Sequence, residues 1–249
     1  MKLNNVIAKR LNKTIYEEAG LVYKVFDTDY SKAEVLNESL NHARVEETGL
    51  NLPKLEKVTK IDGKWTIVSE FIKGKRLDVL MNEDPQNIQK YIDMFVDLQI
   101  EVQEQRCPLL ARLKDKLHRK ISDSSFNATT RYDLHTSIEG KPTHNKLLHG
   151  DFHPKNIIIT DDNKAYILDW AHATQGNASA DVARSFLLFS LEGKEELAKC
   201  YLETFCKKSD TARQYVQKWI PIVAAAQSVN GNKEEVEMLN RWVNVVDYQ

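Results

Sequence analysis

Residues 149–156 read His-Gly-Asp-Phe-His-Pro-Lys-Asn, and the apolar run 157–159 follows them directly. Asp151 and Asn156 lie just before this run, and Asp169 ends the next apolar run of the chain. Two short strands of this kind can pair and bring the residues at their ends together. The stretch therefore predicts a cleft in which two carboxylates and one amide meet.

Phosphoryl transfer requires such a set of side chains. A carboxylate orients the attacking hydroxyl, and oxygen ligands hold the magnesium ion that bridges the phosphates. Asp151 is the candidate catalytic base, and Asn156 and Asp169 are the candidate magnesium ligands. Because a carboxylic acid with a pKa of about 4 is a weak base at neutral pH, we expect Asp151 mainly to orient the hydroxyl and to accept its proton late.

The stretch resembles the His-Gly-Asp-x-x-x-x-Asn catalytic loop of the aminoglycoside phosphotransferase and choline kinase family. The pair Asp169-Trp170 is similar to that family's counterpart of the protein-kinase Asp-Phe-Gly motif, and a weaker resemblance runs from about Ile7 onward. It implies an α+β, two-lobed, protein-kinase-like fold. It also implies a kinase that uses ATP or GTP with Mg²⁺ to phosphorylate an aminoglycoside-like, choline-like or other alcohol.

Residues 1–73 are expected to form a small, β-rich, nucleotide-binding lobe with one helix. Strand-like runs occur at residues 14–16, 21–26, 53–58 and 65–71. Ser31 and Glu34 have the spacing of a capping box, which predicts a helix from there to about Glu47. Leu36 and Leu40 share one face of this helix with Ala43.

Residues 74–249 are expected to form a larger, mainly helical lobe that carries the catalytic loop and the substrate site. Apolar residues recur at helical spacing over residues 88–102 and 109–121, and again from Ala180 onward. Residues 122–146 are polar and irregular, so no element is predicted there.

Lys24 is the candidate phosphate anchor. It lies in an apolar strand, on the face of Val22 and Phe26, where a buried charge is costly without a partner. The family resemblance implies an ion pair with a glutamate of the next helix, and this pair would position the α- and β-phosphates. Glu38 is the expected partner, and Glu34, one helical turn earlier, is the competing choice.

Further nucleotide-binding positions are implied by the resemblance. Glu70 and Ile72 match the hinge between the lobes, where backbone groups would bind adenine, and the following Gly74 fits the family's Glu-x-x-x-Gly pattern. Asp181 resembles the aspartate at a helix start that braces the catalytic loop. It could equally be an acid that the helix dipole favours at this position.

Two histidines of the loop leave alternatives open. The resemblance implies that His149 packs beneath the loop, while His153 either lies near the phosphates or holds the loop. A remote alternative is a metallohydrolase in which both histidines join Asp151 and Asp169 around a metal. No His-Glu-x-x-His spacing supports that alternative.

One departure from the protein-kinase pattern concerns the phosphate-covering turn. The corresponding residues 10–13 contain no glycine, although backbone amides approach phosphate closely only where side chains do not obstruct them. A nucleotide-binding pseudokinase or regulatory module is therefore the alternative to an active enzyme.

Composition excludes several other classes. The 249 residues carry a net charge of −1, whereas nucleic-acid-binding modules are usually clearly basic. No apolar run approaches the ~20 residues of a membrane span, and the N-terminus shows no signal peptide. Cys107, Cys200 and Cys206 are more typical of a reducing cytoplasm than of a disulfide framework.

Aromatic residues near the C-terminus could bind a choline-like acceptor. Trp219, Trp242 and Tyr248 could form a cation-binding cage, but packing in the core is the favoured interpretation. The charges of this region nearly cancel and are typical of solvated helix faces. The sequence leaves the acceptor and the oligomeric state open.

Overall fold

The computed structural model describes residues 3–229 and 231–243. The chain forms two compact units: the first contains the residues up to Glu83 together with Pro154–His172, and the second contains Asp84–His153 together with the chain from Ala173 onward. The catalytic loop therefore contributes to both units. The predicted lobe boundary after residue 73 stays a prediction.

The secondary structure is mixed, with strands concentrated in the first unit and helices in the second. The strands are β1 (Val6–Arg10), β2 (Lys13–Glu18), β3 (Leu21–Phe26), β4 (Leu55–Ile61), β5 (Lys64–Glu70), β6 (Lys75–Arg76), β7 (Lys146–Leu148), β8 (Ile157–Ile159), β9 (Ala165–Ile167) and β10 (Thr174–Gly176). The helices are α1 (Lys32–Glu46), α2 (Leu77–Glu83), α3 (Ile88–Glu104), α4 (Leu113–Ser122), α5 (Ala128–Glu139), α6 (Ala178–Leu191), α7 (Glu195–Ser209), α8 (Arg213–Gln217), α9 (Ile220–Ser228) and α10 (Lys233–Val243). The α+β prediction is confirmed.

The first unit contains a five-stranded antiparallel sheet in the order β1-β2-β3-β5-β4. Tight turns join β2 to β3 and β4 to β5, and Gly20 and Gly63 there have φ values of 78° and 80°. Glycine adopts this left-handed conformation without steric cost, which is why such turns suit two-residue hairpins. The predicted strands at 14–16, 21–26 and 65–71 are confirmed, and the strand predicted at 53–58 begins at Leu55.

Helix α1 begins at the predicted capping box. The Ser31 hydroxyl accepts a hydrogen bond from the Glu34 backbone N–H at 3.1 Å, and the Glu34 carboxylate accepts one from the Ser31 N–H at 3.3 Å. The face that Leu36 and Leu40 share is not the buried one, because these two residues are 42% and 48% exposed. The buried residues are Val35, Glu38, Ser39, Asn41 and Val45. A partly polar face is buried because it carries side chains of the site.

The first unit also contains the three-stranded sheet β6-β8-β9. Its strand β8 directly follows residues 149–156 in the chain. Gly74 lies against this sheet. A Cβ atom added to Gly74 would lie 2.7 Å from Cγ2 of Ile158 and would clash with the carbonyl oxygen of Ile159. The close approach explains why glycine is required at this position.

We therefore expect Gly74→Ala to destabilise the protein by about 1–3 kcal/mol, the usual effect of overpacking. Gly140→Ala is the matched control, because a Cβ atom there would make ordinary contacts of 3.7 Å at a helical φ of −67°. Urea unfolding followed by circular dichroism measures both effects. Equal stability of the two variants would contradict the close packing at Gly74.

In the second unit, the aromatic residue of the catalytic loop belongs to the core. The ring of Phe152 lies 4.7 Å from that of Phe95, which also contacts Phe189 and Tyr201 at 5.7 Å and 5.4 Å between ring centroids. The Phe152 carbonyl accepts a hydrogen bond from the Ser185 hydroxyl at 2.7 Å. The loop is thus anchored by burial, which fixes the direction of Asp151 beside it.

Two predictions for the helical region are wrong. The helix predicted over 109–121 begins only at Leu113, because Gln175 holds the preceding turn outside the helix through hydrogen bonds to the carbonyls of Pro108, Leu110 and Ala111. Helix α5 forms within the region 122–146, where no element was predicted. It buries only Leu134 and Ile138, so its apolar periodicity is weak.

Within residues 3–229 and 231–243, no helix combines the length and the apolar character needed to cross a membrane.

Candidate active site

In the first unit, Lys24 is held between two carboxylates. Its Nζ atom lies 2.5 Å from Oε1 of Glu38 and 3.3 Å from Oδ1 of Asp169. The side chains of Lys24 and Glu38 are 17% and 8% exposed, so the ion pair is largely buried. Glu34, the competing partner, is engaged in the helix cap. The structure thus brings Lys24, Glu38 and Asp169 together, as expected for Lys24 and Glu38.

The electrostatics of this cluster favour a charged lysine. Burial alone would lower the pKa of Lys24, but the carboxylates of Asp169 and Glu38 outweigh it and hold the pKa above its ordinary value. The ammonium group therefore stays protonated at neutral pH. A permanent cation at this point suits an anionic ligand such as a phosphate chain.

A second lysine, which no sequence pattern assigned to the site, reaches the same carboxylate. Nζ of Lys13 on β2 lies 3.7 Å from Oδ2 of Asp169. Burial and the neighbouring Lys24 lower the pKa of Lys13, while Asp169 and Glu38 oppose this effect. Lys13 lies at the end of the glycine-free turn that was predicted to cover the phosphates. Only this position could have indicated that Lys13 belongs to the site.

Asp169 has a backbone conformation that is unusual for its residue type. Its φ is +61°, in the left-handed region that favours glycine. The following Trp170 is fully buried, and its indole N–H donates to the Ile167 carbonyl at 3.1 Å. Such strain persists where the surroundings fix the backbone, and it is common at functional sites. The carboxylate of Asp169 stays 33% exposed and can bind a ligand.

The other predicted magnesium ligand adjoins Asp169 through the backbone. Asn156 ends a short 3₁₀ helix, and its carbonyl accepts a hydrogen bond from the Leu168 N–H at 2.8 Å. Because Leu168 directly precedes Asp169, this bond ties the two candidate ligands to neighbouring positions. Their oxygen atoms are of the type that magnesium prefers.

In the second unit, Asp181 braces the backbone around the predicted base. Its Oδ1 atom accepts from the Gly150 N–H at 2.7 Å, and its Oδ2 atom accepts from the His149 N–H and from Nε2 of Gln99, both at 3.4 Å. Burial raises the pKa of Asp181, and His149 together with these hydrogen bonds opposes the rise. Asp181 therefore does more than complement the dipole of α6.

Asp151 itself is partly accessible and is paired with an arginine. Its side chain is 31% exposed, and its Oδ1 atom lies 3.3 Å from Nη2 of Arg184. The N–H of Asp151 donates to Nδ1 of His149, which is fully buried beneath the loop. Sequence reasoning did not assign Arg184 to the site. Arg184 follows Asp181 by three residues, which places both side chains on one face of α6. This spacing was the available signal that Arg184 belongs to the site.

His153 is directed into the second unit. It is 5% exposed, its ring contacts Phe189, and its Nε2 atom lies 3.3 Å from Oε1 of Glu192. This position supports the second expected role, in which His153 holds the loop. Both loop histidines are buried and have partners within the second unit. Within the described chain, no group of three or more His, Cys, Asp or Glu side chains could hold a metal ion.

The predicted hinge follows β5 in the first unit. The Glu70 N–H already donates to the Lys54 carbonyl at 2.9 Å. A nucleotide base bound at Glu70 would therefore use the carbonyl oxygen of Glu70 as its hydrogen-bond acceptor. Ile72 lies beyond the strand and is half-buried. Their contacts with a nucleotide stay a prediction.

The aromatic residues considered for a cation cage take part in packing where they are described. Trp219 is fully buried, and Trp242 packs edge-on against Phe186 at 5.6 Å. Trp219 also borders a pocket of about 240 Å³, and the Lys141 ammonium lies 6.0 Å from its ring. Tyr248 lies outside the described residues.

Comparisons with known proteins identify the family of the chain. The model of a family described as "Phosphotransferase enzyme family" matches residues 14–217. No curated protein matches the chain.

Solved structures show the same fold at low identity. A thermostable mutant of aminoglycoside phosphotransferase APH(4)-Ia in its apo form has a TM-score of 0.71 at 14% identity, with 98% of this chain and 93% of that chain covered. Choline kinase LicA from Streptococcus pneumoniae has a TM-score of 0.66 at 14% identity, with coverage of 98% and 92%. The GDP complex of an aminoglycoside 2′-phosphotransferase IIIa mutant has a TM-score of 0.64 at 15% identity, with coverage of 98% and 92%. The predicted protein-kinase-like fold is confirmed.

Proposed function

Because the chain belongs to the phosphotransferase enzyme family, we propose that it transfers the γ-phosphoryl group of ATP or GTP to a hydroxyl of a small molecule. The observation that carries this proposal is the buried lysine of β3, whose ammonium lies between Glu38 and Asp169. In kinase-like sites, a lysine and glutamate pair of this kind positions the phosphates. A lysine that served packing alone would not need two carboxylates.

The nucleotide phosphates would bind beside Asp169. Lys24 and Lys13 both reach its carboxylate, so two cations are available to a phosphate chain. Asp169 and Asn156 would hold Mg²⁺, and their exposed carboxylate and neighbouring amide fit its preference for hard oxygen donors. When bound, the ion neutralises charge on the phosphates.

Asp151 would serve the acceptor hydroxyl. In the transfer, the acceptor oxygen forms a bond to the γ-phosphorus, the bond from that phosphorus to the β,γ-bridging oxygen breaks, and the nucleoside diphosphate leaves with that oxygen. The proton of the hydroxyl goes to a carboxylate oxygen of Asp151. Arg184 and the hydrogen bonds of Asp181 hold this carboxylate in position, so both are positioning residues.

Structural relatives bind nucleotides of both base types. One APH(4)-Ia structure is a ternary complex with AMP-PNP and hygromycin B, and one 2′-phosphotransferase structure is a GDP complex. We extend nucleotide binding to this chain as part of the proposal, with ATP or GTP as the donor. A cytoplasmic setting, suggested by the three free cysteines, is part of the same proposal.

Nucleotide binding is expected to depend on magnesium, since Asp169 and the phosphates would otherwise repel each other. Calorimetric titration with ATP and with GTP should show affinity falling at least about tenfold when the metal is chelated, because neighbouring like charges then stay uncompensated. Equal affinity with and without Mg²⁺ would argue against the metal roles of Asn156 and Asp169.

A nucleotide-binding pseudokinase is the second candidate. It is favoured by the turn between β1 and β2, where Leu11 and Asn12 replace the expected glycines and Leu11 is fully exposed. The same titration, followed by a sensitive assay of nucleotide turnover with alcohols, distinguishes the two. Tight magnesium-dependent binding without any turnover would favour the pseudokinase.

A further inference from the structure

Arg184, the partner of the proposed base, retains an unused donor. Its side chain is only 14% exposed, and one nitrogen, Nη2, lies 3.3 Å from the Asp151 carboxylate. The other terminal nitrogen, Nη1, is buried and has no hydrogen-bond partner within the described chain. Buried donors are normally paired, so an unpaired guanidinium N–H beside a reaction centre suggests a missing acceptor.

Two lysines of α4 extend this positive region. Lys116 and Lys120 are one helical turn apart on the same face, and both are half-buried. Burial, followed by the charges of Lys120, Arg184 and Arg119, lowers the pKa of Lys116 to about 8. Burial, Arg184 and Arg119 likewise lower the pKa of Lys120.

Three acidic groups act on Arg184, and each of them makes a defined contact. Asp181 is occupied by the backbone of the catalytic loop, and Asp151 is paired with Arg184 itself. Glu235 also acts on Arg184 from α10, but its carboxylate accepts the Asn232 N–H at 3.2 Å as part of a helix cap. Half-buried cations that interact with Arg184, the partner of the proposed base, favour a negatively charged ligand.

We propose that the acceptor alcohol carries an anionic group, a carboxylate or a phosphate, which binds Lys116, Lys120 and Nη1 of Arg184 beside Asp151. This inference rests on the proposed function and specifies its substrate class. An arginine fork with adjacent lysines suits carboxylate and phosphate oxygens, and charge-assisted hydrogen bonds of this kind are strong. A polycationic or quaternary ammonium acceptor would meet like charge at the same place.

Binding of matched alcohols tests the proposal. Calorimetry on the full chain with Mg²⁺ and ADP would compare glycerate and glycerol 3-phosphate with glycerol and choline. We expect at least one of the two anions to bind about tenfold or more tightly than glycerol and choline, as charge-assisted hydrogen bonds allow. The two anions distinguish a carboxylate from a phosphate. Anions that bind no more tightly than glycerol, or choline that binds best, would overturn the proposal.

Single substitutions of the two α4 lysines test whether the anionic group binds there. Lys120→Gln and, separately, Lys116→Gln should each weaken binding of the preferred anion about tenfold, while choline binding does not weaken. Lys199→Gln is the control, because Lys199 is an exposed residue of α7 paired with Glu196. Unchanged anion affinity in both α4 variants would overturn the proposal, and thermal unfolding checks that each variant is folded.

A nucleotide titration on the same samples separates this inference from the proposed function. Failure to bind ATP or GTP with Mg²⁺ would overturn both. Normal nucleotide binding with no preference for anionic alcohols would overturn the anionic acceptor alone.

Discussion

Replacing Asp151 by asparagine is expected to lower phosphate transfer by roughly 10²–10⁴-fold, the usual contribution of a positioned acid–base group. Asparagine keeps the shape of the side chain but cannot accept the hydroxyl proton. The fold and nucleotide binding should be preserved, since Phe152 and Asp181 anchor the loop independently of the Asp151 carboxylate. Initial rates of transfer measured with the acceptor at saturation give the effect.

The control for this variant is Asp161→Asn, which changes an exposed aspartate in the turn after β8. Its transfer rate should equal that of the original protein. Retention of full activity by Asp151→Asn would remove Asp151 from the mechanism.

Replacing Lys24 by alanine is expected to lower transfer by about 10²–10³-fold, as for other groups that stabilise charge in the transition state. The same change leaves Glu38 buried without its cation, so the free energy of unfolding should fall by about 3 kcal/mol. Lys57→Ala on strand β4 of the same sheet is the control, because Lys57 is exposed. Urea unfolding and nucleotide-dependent transfer are measured on both variants.

A double-mutant cycle with Glu38→Gln tests whether Lys24 and Glu38 act as a pair. Because their charged atoms are 2.5 Å apart, the losses in transfer should be clearly less than additive. Additive losses would mean that Lys24 works through Asp169 alone.

Local sequence patterns predicted the features of the fold that depend on residues close together in the chain. The capping box at Ser31 predicted the start of α1, and the family resemblance of the stretch at 149–156 implied the fold. Strict strand alternation marked Lys24 as a buried charge that needed a partner. These patterns succeed because capping, turns and strand faces depend on residues close in sequence.

Long-range contacts explain the errors. Leu36 and Leu40 share a face by sequence, yet α1 buries the face of Glu38 and Asn41, whose partners lie on β3 and at Ala171. The turn before α4 is held outside the helix by Gln175, which is more than sixty residues away. No local pattern could indicate these contacts, so apolar periodicity alone indicated neither the buried face of α1 nor the start of α4.

The cations of the second unit were missed for a similar reason. Lys116 and Lys120 are ordinary helix-surface residues by sequence, and no sequence pattern assigned them to the site. Their electrostatic interaction with Arg184, and the pairing of Arg184 with Asp151, arise only when α4, α6 and the loop fold into one unit. Charge distribution in space, rather than net charge, carries the information about the acceptor.

Phosphorus NMR of a transfer reaction tests the central claim most directly. The protein would be incubated with Mg²⁺, ATP or GTP, and a panel of alcohols that includes glycerate, glycerol 3-phosphate, choline and hygromycin B. A phosphotransferase should produce a new phosphate ester in step with nucleoside diphosphate, and Asp151→Asn should produce almost none in the same time. A folded, nucleotide-binding protein that forms no phosphate ester with any alcohol, or an Asp151→Asn variant that forms it at the original rate, would contradict the account.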